Sequence, residues 1–421
     1  MRSAAPIRLA VVLSHPTQYY SPWFRWLQTH AAVELRVFYL WEFGVSARRD
    51  PQFKTVFAWD VDLLSGYESE FVANVARSPG AESFWGFNNP SLPARLAAWR
   101  PDALLIFGYK WLTHVRTIGW GRRNRVPLIF RGDSHFLGRP DPGWRRTLPL
   151  RWLFRRFAAV TYVGAANRAY FEKLGVPARK LFFAPHAVNH ELFDPADPRH
   201  RVAAEALRAE LGIAPATKVV LFAGKLLPAK QPRELLEAFL AYARRGQVDD
   251  IAVPRRDCNI IDLTPSTALI FVGDGDEKHA LQEIARDAPP GTVHFLPFAN
   301  QSEMPSRYLL ADIFALPSRG FHETWGLAVN EAMHMGVPCL VSDRVGCQQD
   351  LVTDGETGWV FPADDPRALQ DKLKTALAVV ADDAGREKLR AAVLEQISRY
   401  TYEQTTNGLL AALGSLSLRR P

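Results

Sequence analysis

Short, mostly apolar runs alternate with amphipathic segments along this chain, break off once, and then resume. The first series is Ile7–Ser14 (IRLAVVLS), Val33–Tyr39, Ala103–Phe107, Pro127–Phe130, Ala159–Val163 and Leu181–Ala184. Runs this apolar suit strands buried on both faces, and the amphipathic segments between them suit covering helices. The pattern therefore demands a parallel sheet wrapped on both sides. A Pro- and Asp-rich stretch, Phe193–Pro198 (FDPADP), interrupts it. After a charged helix over Arg201–Leu211 the series restarts with strands at Val219–Ala223, Ala268–Val272, Val293–Leu296, Ile313–Leu316 and Cys339–Ser342. Helices are expected near Trp23–Leu27 and over Arg233–Arg244 and Glu277–Arg286, while Gly246–Thr267 has no period and reads as an inserted loop. At 421 residues the chain exceeds what one core accommodates. Two α/β domains are predicted, 1–195 and 196–398. Two doubly wound domains facing each other place a ligand cleft outside the C-terminal ends of their strands.

Composition narrows the function classes. Three cysteines (Cys258, Cys339, Cys347) make no disulfide framework and no metal-ligand spacing, which suits a reducing cytoplasm. No apolar stretch approaches the roughly 20 residues that span a bilayer, and the apolar run after Arg8 is too short for a secretory signal. Charge is split between the halves: residues 1–200 carry 27 Lys and Arg against 15 acids, the remainder 24 against 29. Between Lys110 and Arg156 twelve basic residues face only Asp133 and Asp141. Such a patch attracts phosphates or an anionic membrane, or is a solvated arginine-rich surface. No nucleic-acid-binding motif accompanies it, so nucleic acid is not an expected partner.

Four stretches in the second half carry chemistry, each at the C-terminal end of a predicted strand. Gly224 and Lys225 begin a loop that ends at Lys230, where two lysines five apart converge on a diphosphate or stand in solvent. Val272-Gly273-Asp274-Gly275 combines a backbone that approaches a ligand closely with an ordinary turn. Leu296-Pro297-Phe298 offers main chain to a base. The fourth, Gly320–Gly336 (GFHETWGLAVNEAMHMG), sets Glu323 in a turn and Glu331 on the helix that follows. A carboxylate in an apolar helix is costly to bury unless something binds it. A helix starting near Gly326–Leu327 would aim its positive dipole end at the same place as the lysines.

These stretches, with FLPFANQSEMPSRYLLADIFALPS and DGETGWVFPADDP in the same order, resemble the retaining glycosyltransferases of the GT-B fold, family 4. The resemblance is specific over residues 218–366 and looser in residues 1–200, where it rests on LFFAPHAVNHELF and the strand pattern. It implies two Rossmann-like domains, with a segment 399–421 whose helix crosses back to the first. By resemblance Lys225 and Lys230 match the basic pair that holds the nucleotide diphosphate; position 225 is more often arginine, whose bidentate geometry lysine lacks. Glu323 matches the acid at the donor sugar and Glu331 the acid on the ribose hydroxyls. Gly224, Gly273, Phe298, Phe321, His322, Thr324, Trp325, Gly326 and Leu327 line the donor. The implied reaction transfers a sugar from a nucleotide-diphosphate sugar with retention, using no cofactor and no metal. A glycosyl phosphorylase of the same fold is the alternative, and a non-catalytic nucleotide-sugar-binding protein is disfavoured because all four charged residues are present.

The first half departs from the family. Where relatives carry a Gly-Gly pair after the first strand, this chain has Ser14-His15-Pro16, so His15 is an acceptor-side or phosphate-contacting candidate, or a packing histidine. Relatives place a sugar-facing histidine where this chain reads Arg131-Gly132-Asp133-Ser134-His135; Asp133 and His135 both qualify as catalytic lining, and Arg131 as a buried partner of Asp133. Trp85–Phe87 and Tyr109–Trp111 shape an acceptor pocket or pack the core. Trp144–Phe157 alternates arginines with large apolar residues at near-helical spacing. That pattern fits either a helix lying on an anionic membrane beside a glycan or lipid-linked acceptor, or a helix packing its apolar residues inward. A cytoplasmic enzyme of surface polysaccharide assembly, peripheral on the inner face of the membrane, is the resulting expectation.

Overall fold

The apolar series fold as two all-parallel sheets. The computed structural model describes residues 5–45, 48–49, 56–139, 142–251, 266–319 and 323–416, with only the backbone path at 48–49, 56–57 and 245–251. The chain divides into two compact units, Met1–Arg48 with Phe57–Asn189 and Tyr400–Pro421, and Arg49–Val56 with His190–Arg399.

In the first unit, strands β1 (Ile7–Leu13), β2 (Val33–Tyr39), β3 (Glu68–Phe71), β4 (Ala103–Phe107), β5 (Leu128–Arg131), β6 (Ala159–Tyr162) and β7 (Leu181–Phe183) lie in the order 3-2-1-4-5-6-7. Their pairings are parallel, with Leu9 opposite both Leu35 and Ala103. Alternate residues of β1 serve opposite faces. Leu9, Val11 and Leu13 pack with Trp23 and Phe24, and Ala10 and Val12 with Leu92, Leu96 and Trp99. Interior positions on both faces are therefore mostly apolar, which is why the strands read as nearly continuous runs. The helix Tyr402–Gly414 belongs to this unit. Leu409, Ala412 and Leu413 close the Trp23 face, Thr406 accepts from the Trp23 indole at 3.0 Å, and Thr405 donates to Pro185 O at 2.8 Å. Glu68–Phe71 escaped the pattern because an edge strand of exposed and half-buried, mostly polar residues has no apolar run to show.

The second unit repeats the order. Strands β8 (Lys218–Ala223), β9 (Thr267–Val272), β10 (Val293–Leu296), β11 (Ile313–Leu316), β12 (Cys339–Ser342) and β13 (Gly358–Phe361) run 10-9-8-11-12-13, all parallel. One core cluster joins Val220, Phe222, Leu269 and Phe271 to Leu235, Phe239, Leu373 and Leu377 of the covering helices. The expected loop at Gly246–Thr267 needs correcting at both ends. The helix Pro232–Ile251 runs through Gly246, a residue that weakens a helix by about 1 kcal/mol without ending it, and β9 already starts at Thr267. The remainder, 252–265, lies outside the described residues. In each sheet the strand order reverses beside the first strand, between β1 and β4 and between β8 and β11. These are the places where a doubly wound sheet opens a crevice at its strand ends.

Candidate functional site

The crevice of the second unit is built by three loops. The first leaves β8 at Gly224 and the second leaves β9 at Gly273. They are fastened main chain to main chain: Gly224 N donates to Val272 O at 3.0 Å, Leu226 N to Asp274 O at 2.9 Å, and Glu277 N to Leu226 O at 3.0 Å. Gly273 has φ 136°, and a Cβ there would collide with the carbonyl of Gly224, so the approach requires glycine. Asp274 finishes the turn by accepting from Gly275 N and from Lys278 Nζ, each at 2.8 Å.

The third loop leaves β11. Arg319 N donates to Ala229 O at 2.8 Å and Ser318 Oγ to the same oxygen at 3.1 Å, which fastens this loop to the turn Pro228–Lys230. The result brings Lys230 Nζ onto Glu323 Oε2 as an ion pair, with the lysine side chain 23% and the glutamate side chain 11% exposed. Two residues 93 positions apart thus meet at the strand-order reversal, where the sequence placed both. Lys225 stands in the same loop, half-buried.

Gly326, at φ 99°, turns the chain into the helix Leu327–His334; a Cβ there would lie 2.9 Å from Val345 Cγ1. The turn before it is braced from inside. The Trp325 indole is buried and donates to Asn330 Oδ1 at 2.7 Å, and Trp325 O accepts from Cys347 N at 2.8 Å. Trp325 is thus an internal strut, while Thr324 and Leu327 are half-buried at the helix entrance. Phe321 and His322 lie outside the described residues. The first-turn N–H groups lack intrahelical acceptors, as at every helix start, and add positive potential beside Glu323.

Glu331 lies one turn further into this helix, 4% exposed. Its carboxylate accepts from the Tyr308 hydroxyl at 2.7 Å on Oε2 and from the Gln301 amide at 3.0 Å on Oε1. The cost of burying a charge in an apolar helix is offset by these two donors, which sequence reading did not identify. Phe298 is half-buried on the loop after β10. The thiols of Cys339 and Cys347 are buried and pushed well up by desolvation, so neither is a nucleophile at neutral pH.

The strand ends of the first unit are different in kind. Arg131 ends β5 almost fully buried. It donates to Ala184 O at 2.9 Å and Pro185 O at 3.2 Å, with its guanidinium 5.1 Å from the Trp23 ring centre and 5.8 Å from that of Tyr20. Burial pushes the Tyr20 hydroxyl up to about 12 despite that cation. Asp133 stands half-exposed with its Oδ2 3.5 Å from Nε2 of a buried His186, whose pKa burial lowers and Asp133 partly restores. His135 is buried, and its Nδ1 accepts from Leu137 N at 3.1 Å. Of the two candidates, Asp133 is the more accessible. His186 was missed, although it follows β7 in the quoted LFFAPHAVNH. His15 is half-buried between Ser14 Oγ at 3.0 Å and the Trp41 and Phe43 rings, and desolvation lowers it to about 4. Phe87 is core and Trp85 exposed, while Tyr109 bonds Tyr170 through their hydroxyls at 3.1 Å.

Among the described residues no group of three or more His, Cys, Asp or Glu side chains is arranged to hold a metal ion, and no helix is long and apolar enough to cross a membrane.

Comparison with known proteins completes the picture. Residues 203–392 match the family described as glycosyl transferases group 1. A D-inositol 3-phosphate glycosyltransferase of Corynebacterium glutamicum (strain R) is 27% identical over 377 residues, covering 82% of this chain and 81% of that protein. The Anabaena protein HepE, solved in complex with UDP and glucose, superposes with a TM-score of 0.68 at 18% identity, over 97% of this chain and 100% of that one. A glycosyltransferase from Rickettsia africae gives 0.70 at 11% identity over 98% and 100%. The family match covers the site-bearing unit, and the structural likeness extends over both units. Residues 203–392 thus match the glycosyl transferases group 1, and the chain is a glycosyltransferase of the GT-B fold.

Proposed function

We propose that the protein transfers a glycosyl group from a nucleotide-diphosphate sugar to a hydroxyl of a glycan or lipid-linked acceptor, with retention of anomeric configuration and without a metal. The observation that carries this reading is the Lys230–Glu323 pair beside a helix N-terminus at the strand-order reversal. Breaking a sugar–diphosphate bond leaves negative charge on the departing oxygen while the anomeric carbon turns cationic. Lys230, Lys225 and the first turn of Leu327–His334 form a positive field at the leaving group, in place before the reaction begins. A bound diphosphate competes with Glu323 for Lys230 and so frees the carboxylate for the sugar hydroxyls. Glu331, held by Tyr308 and Gln301, has the burial and orientation to accept from ribose hydroxyls. In a retaining transfer the acceptor attacks on the face the diphosphate leaves, and the departing phosphate takes its proton. Asp133, with His186 behind it, is assigned to the sugar or acceptor side, and so is His15.

HepE was solved with UDP-glucose, which makes that donor the first to test, and the Corynebacterium relative adds D-inositol 3-phosphate to the acceptor panel. A donor at a hundred times its dissociation constant stabilises the fold by about 2.7 kcal/mol in a thermal-shift screen. Transfer is expected to persist in EDTA and to yield the anomer of the donor by NMR. An EDTA-sensitive rate, an inverted product, or no stabilisation by any nucleotide sugar would each overturn the corresponding part.

A further inference from the structure

We propose that the helix Gly143–Phe154 is a docking surface for an anionic lipid bilayer. Sequence left two orientations open for its apolar residues, and the fold splits them. Leu150, Leu153 and Phe154 turn inward onto the core, whereas Trp144, Leu148 and Trp152 point out, 71%, 56% and 61% exposed. Their spacing of four residues makes one stripe. On a helix of 3.6 residues per turn, Arg151, Trp144, Arg155, Leu148, Trp152 and Arg145 fall in that order across about 120° of the outward face. Pro149 joins Leu148, Arg151, Trp152 and Arg155 in lining a shallow recess there.

A merely solvated arginine surface would put polar residues outward and bury the tryptophans. Ten large apolar side chains are exposed among the described residues, and three of them stand on this one helix. The arginines are placed to accompany insertion. Arg156 stacks on Trp152 and hydrogen-bonds its carbonyl, and Arg145 lies 5.4 Å from the Trp144 ring centre. From Pro142 to Phe157 the chain has five arginines and no acid, and none of the five has an ion-pair partner among the described residues. Indole rings favour the headgroup level of a bilayer, and each arginine near an anionic surface adds attraction. Charge complementarity with apolar insertion is the chemistry of an amphipathic helix lying in the interface.

The test uses the full chain and vesicles of phosphatidylcholine with or without phosphatidylglycerol, some carrying brominated acyl chains. Wild-type protein is expected to sediment with the anionic vesicles only, to be released by salt, and to lose tryptophan fluorescence to the bromines. Arg151→Gln with Arg155→Gln should weaken binding about fivefold per arginine. Trp144→Ser with Trp152→Ser should weaken it at least ~10-fold and abolish the quenching. All four side chains are exposed, so an unchanged melting temperature verifies the fold. No sedimentation with anionic vesicles, wild-type binding by the tryptophan variant, or binding without quenching would overturn the proposal. So would a dimer seen in sedimentation velocity that the tryptophan variant loses while vesicles bind neither form. The assay contains no nucleotide sugar, so its failure leaves the donor-site reading standing.

Discussion

Arg131 ends β5 of the first sheet and Lys230 stands in the loop that follows β8 of the second, both on the C-terminal side of an interior strand in sheets of matching order, and yet they do opposite things. Arg131 is almost fully buried, boxed by Trp23, Tyr20 and Phe107, and spends two nitrogens on main-chain carbonyls. Lys230 stands in a loop, partly exposed, against a single carboxylate. A cation buried beneath aromatic rings and tied to main-chain carbonyls cannot answer a ligand, whereas one held by an exchangeable partner can. The shared topology therefore supplies the place, and the loop chemistry decides whether that place is structural or functional.

The sharpest way to break this comparison is to remove each cation. Lys230→Ala is expected to lower kcat about 10²–10³-fold with little change in melting temperature, because the departing diphosphate loses a countercharge while the fold loses one partly exposed ion pair. Glu323→Gln should follow it. Arg131→Met should do the reverse, costing on the order of 3 kcal/mol of stability by stranding the carbonyls of Ala184 and Pro185. Steady-state kinetics and urea unfolding on both variants decide it. If Lys230→Ala unfolds the protein, or Arg131→Met leaves it as stable as wild type, the two sites are not of different kinds.

Sequence reached the two units unequally for a related reason. In the second unit the working residues lie in contiguous segments whose glycines and lysines directly follow apolar strands, so local pattern and site coincide. The ion pair of Lys230 with Glu323 needed only the strand order to bring its halves together. In the first unit the neighbours of Asp133 come from three strand ends: Tyr20 after β1, Arg131 at β5 and His186 after β7. Arg131 stands two residues from Asp133 and was legible beside it, but no spacing rule connects Tyr20 or His186 to that pair. The donors to Glu331 were hidden likewise, since nothing in FLPFANQSEMPSRYLLADIFALPS ties Gln301 or Tyr308 by spacing to a glutamate more than twenty residues on. The outward tryptophans of Gly143–Phe154 were illegible because periodicity places residues on a face without saying which face meets the core.

Acid should separate the units next. His15, His114 and His186, all in the first unit, have pKa values lowered by burial, His15 to about 4 and His114 to about 3. The ring nitrogens of His114 have no hydrogen-bond partner among the described residues to offset its desolvation. Below the ordinary value of 6.5 the unfolded chain binds protons that the folded unit refuses. The stability these neutral rings contribute is complete above pH 6.5 and declines as pH falls toward 4. In the second unit burial raises Asp312 and Glu277, which favours the folded form on acidification; His294 is lowered, but the Gly291 carbonyl partly offsets it. Between pH 7 and 5 the first unit should lose on the order of 1–3 kcal/mol of hydrogen-exchange protection relative to the second. His114→Leu should recover part of it. Equal losses in both units would remove the histidines from the explanation.

The smallest expected effect tests whether the units differ in their helices as well as at their strand ends. Tyr402–Gly414 in the first unit starts at Thr401, whose Oγ1 accepts from Gln404 N at 3.2 Å. Pro366–Ala381 in the second starts at Asp365, whose Oδ1 accepts from Arg367 N at 2.9 Å and Ala368 N at 3.3 Å. Either change to alanine strands first-turn donors and costs about 1 kcal/mol. The aspartate caps two donors and adds a negative charge at the dipole's positive end, so Asp365→Ala should cost a few tenths more and lose that excess in high salt. Thr401→Ala should be indifferent to salt, because its hydroxyl carries no charge. Hydrogen exchange confined to each helix measures the pair. If the two losses share one salt dependence, capping charge contributes nothing here and the difference lies in hydrogen-bond count alone.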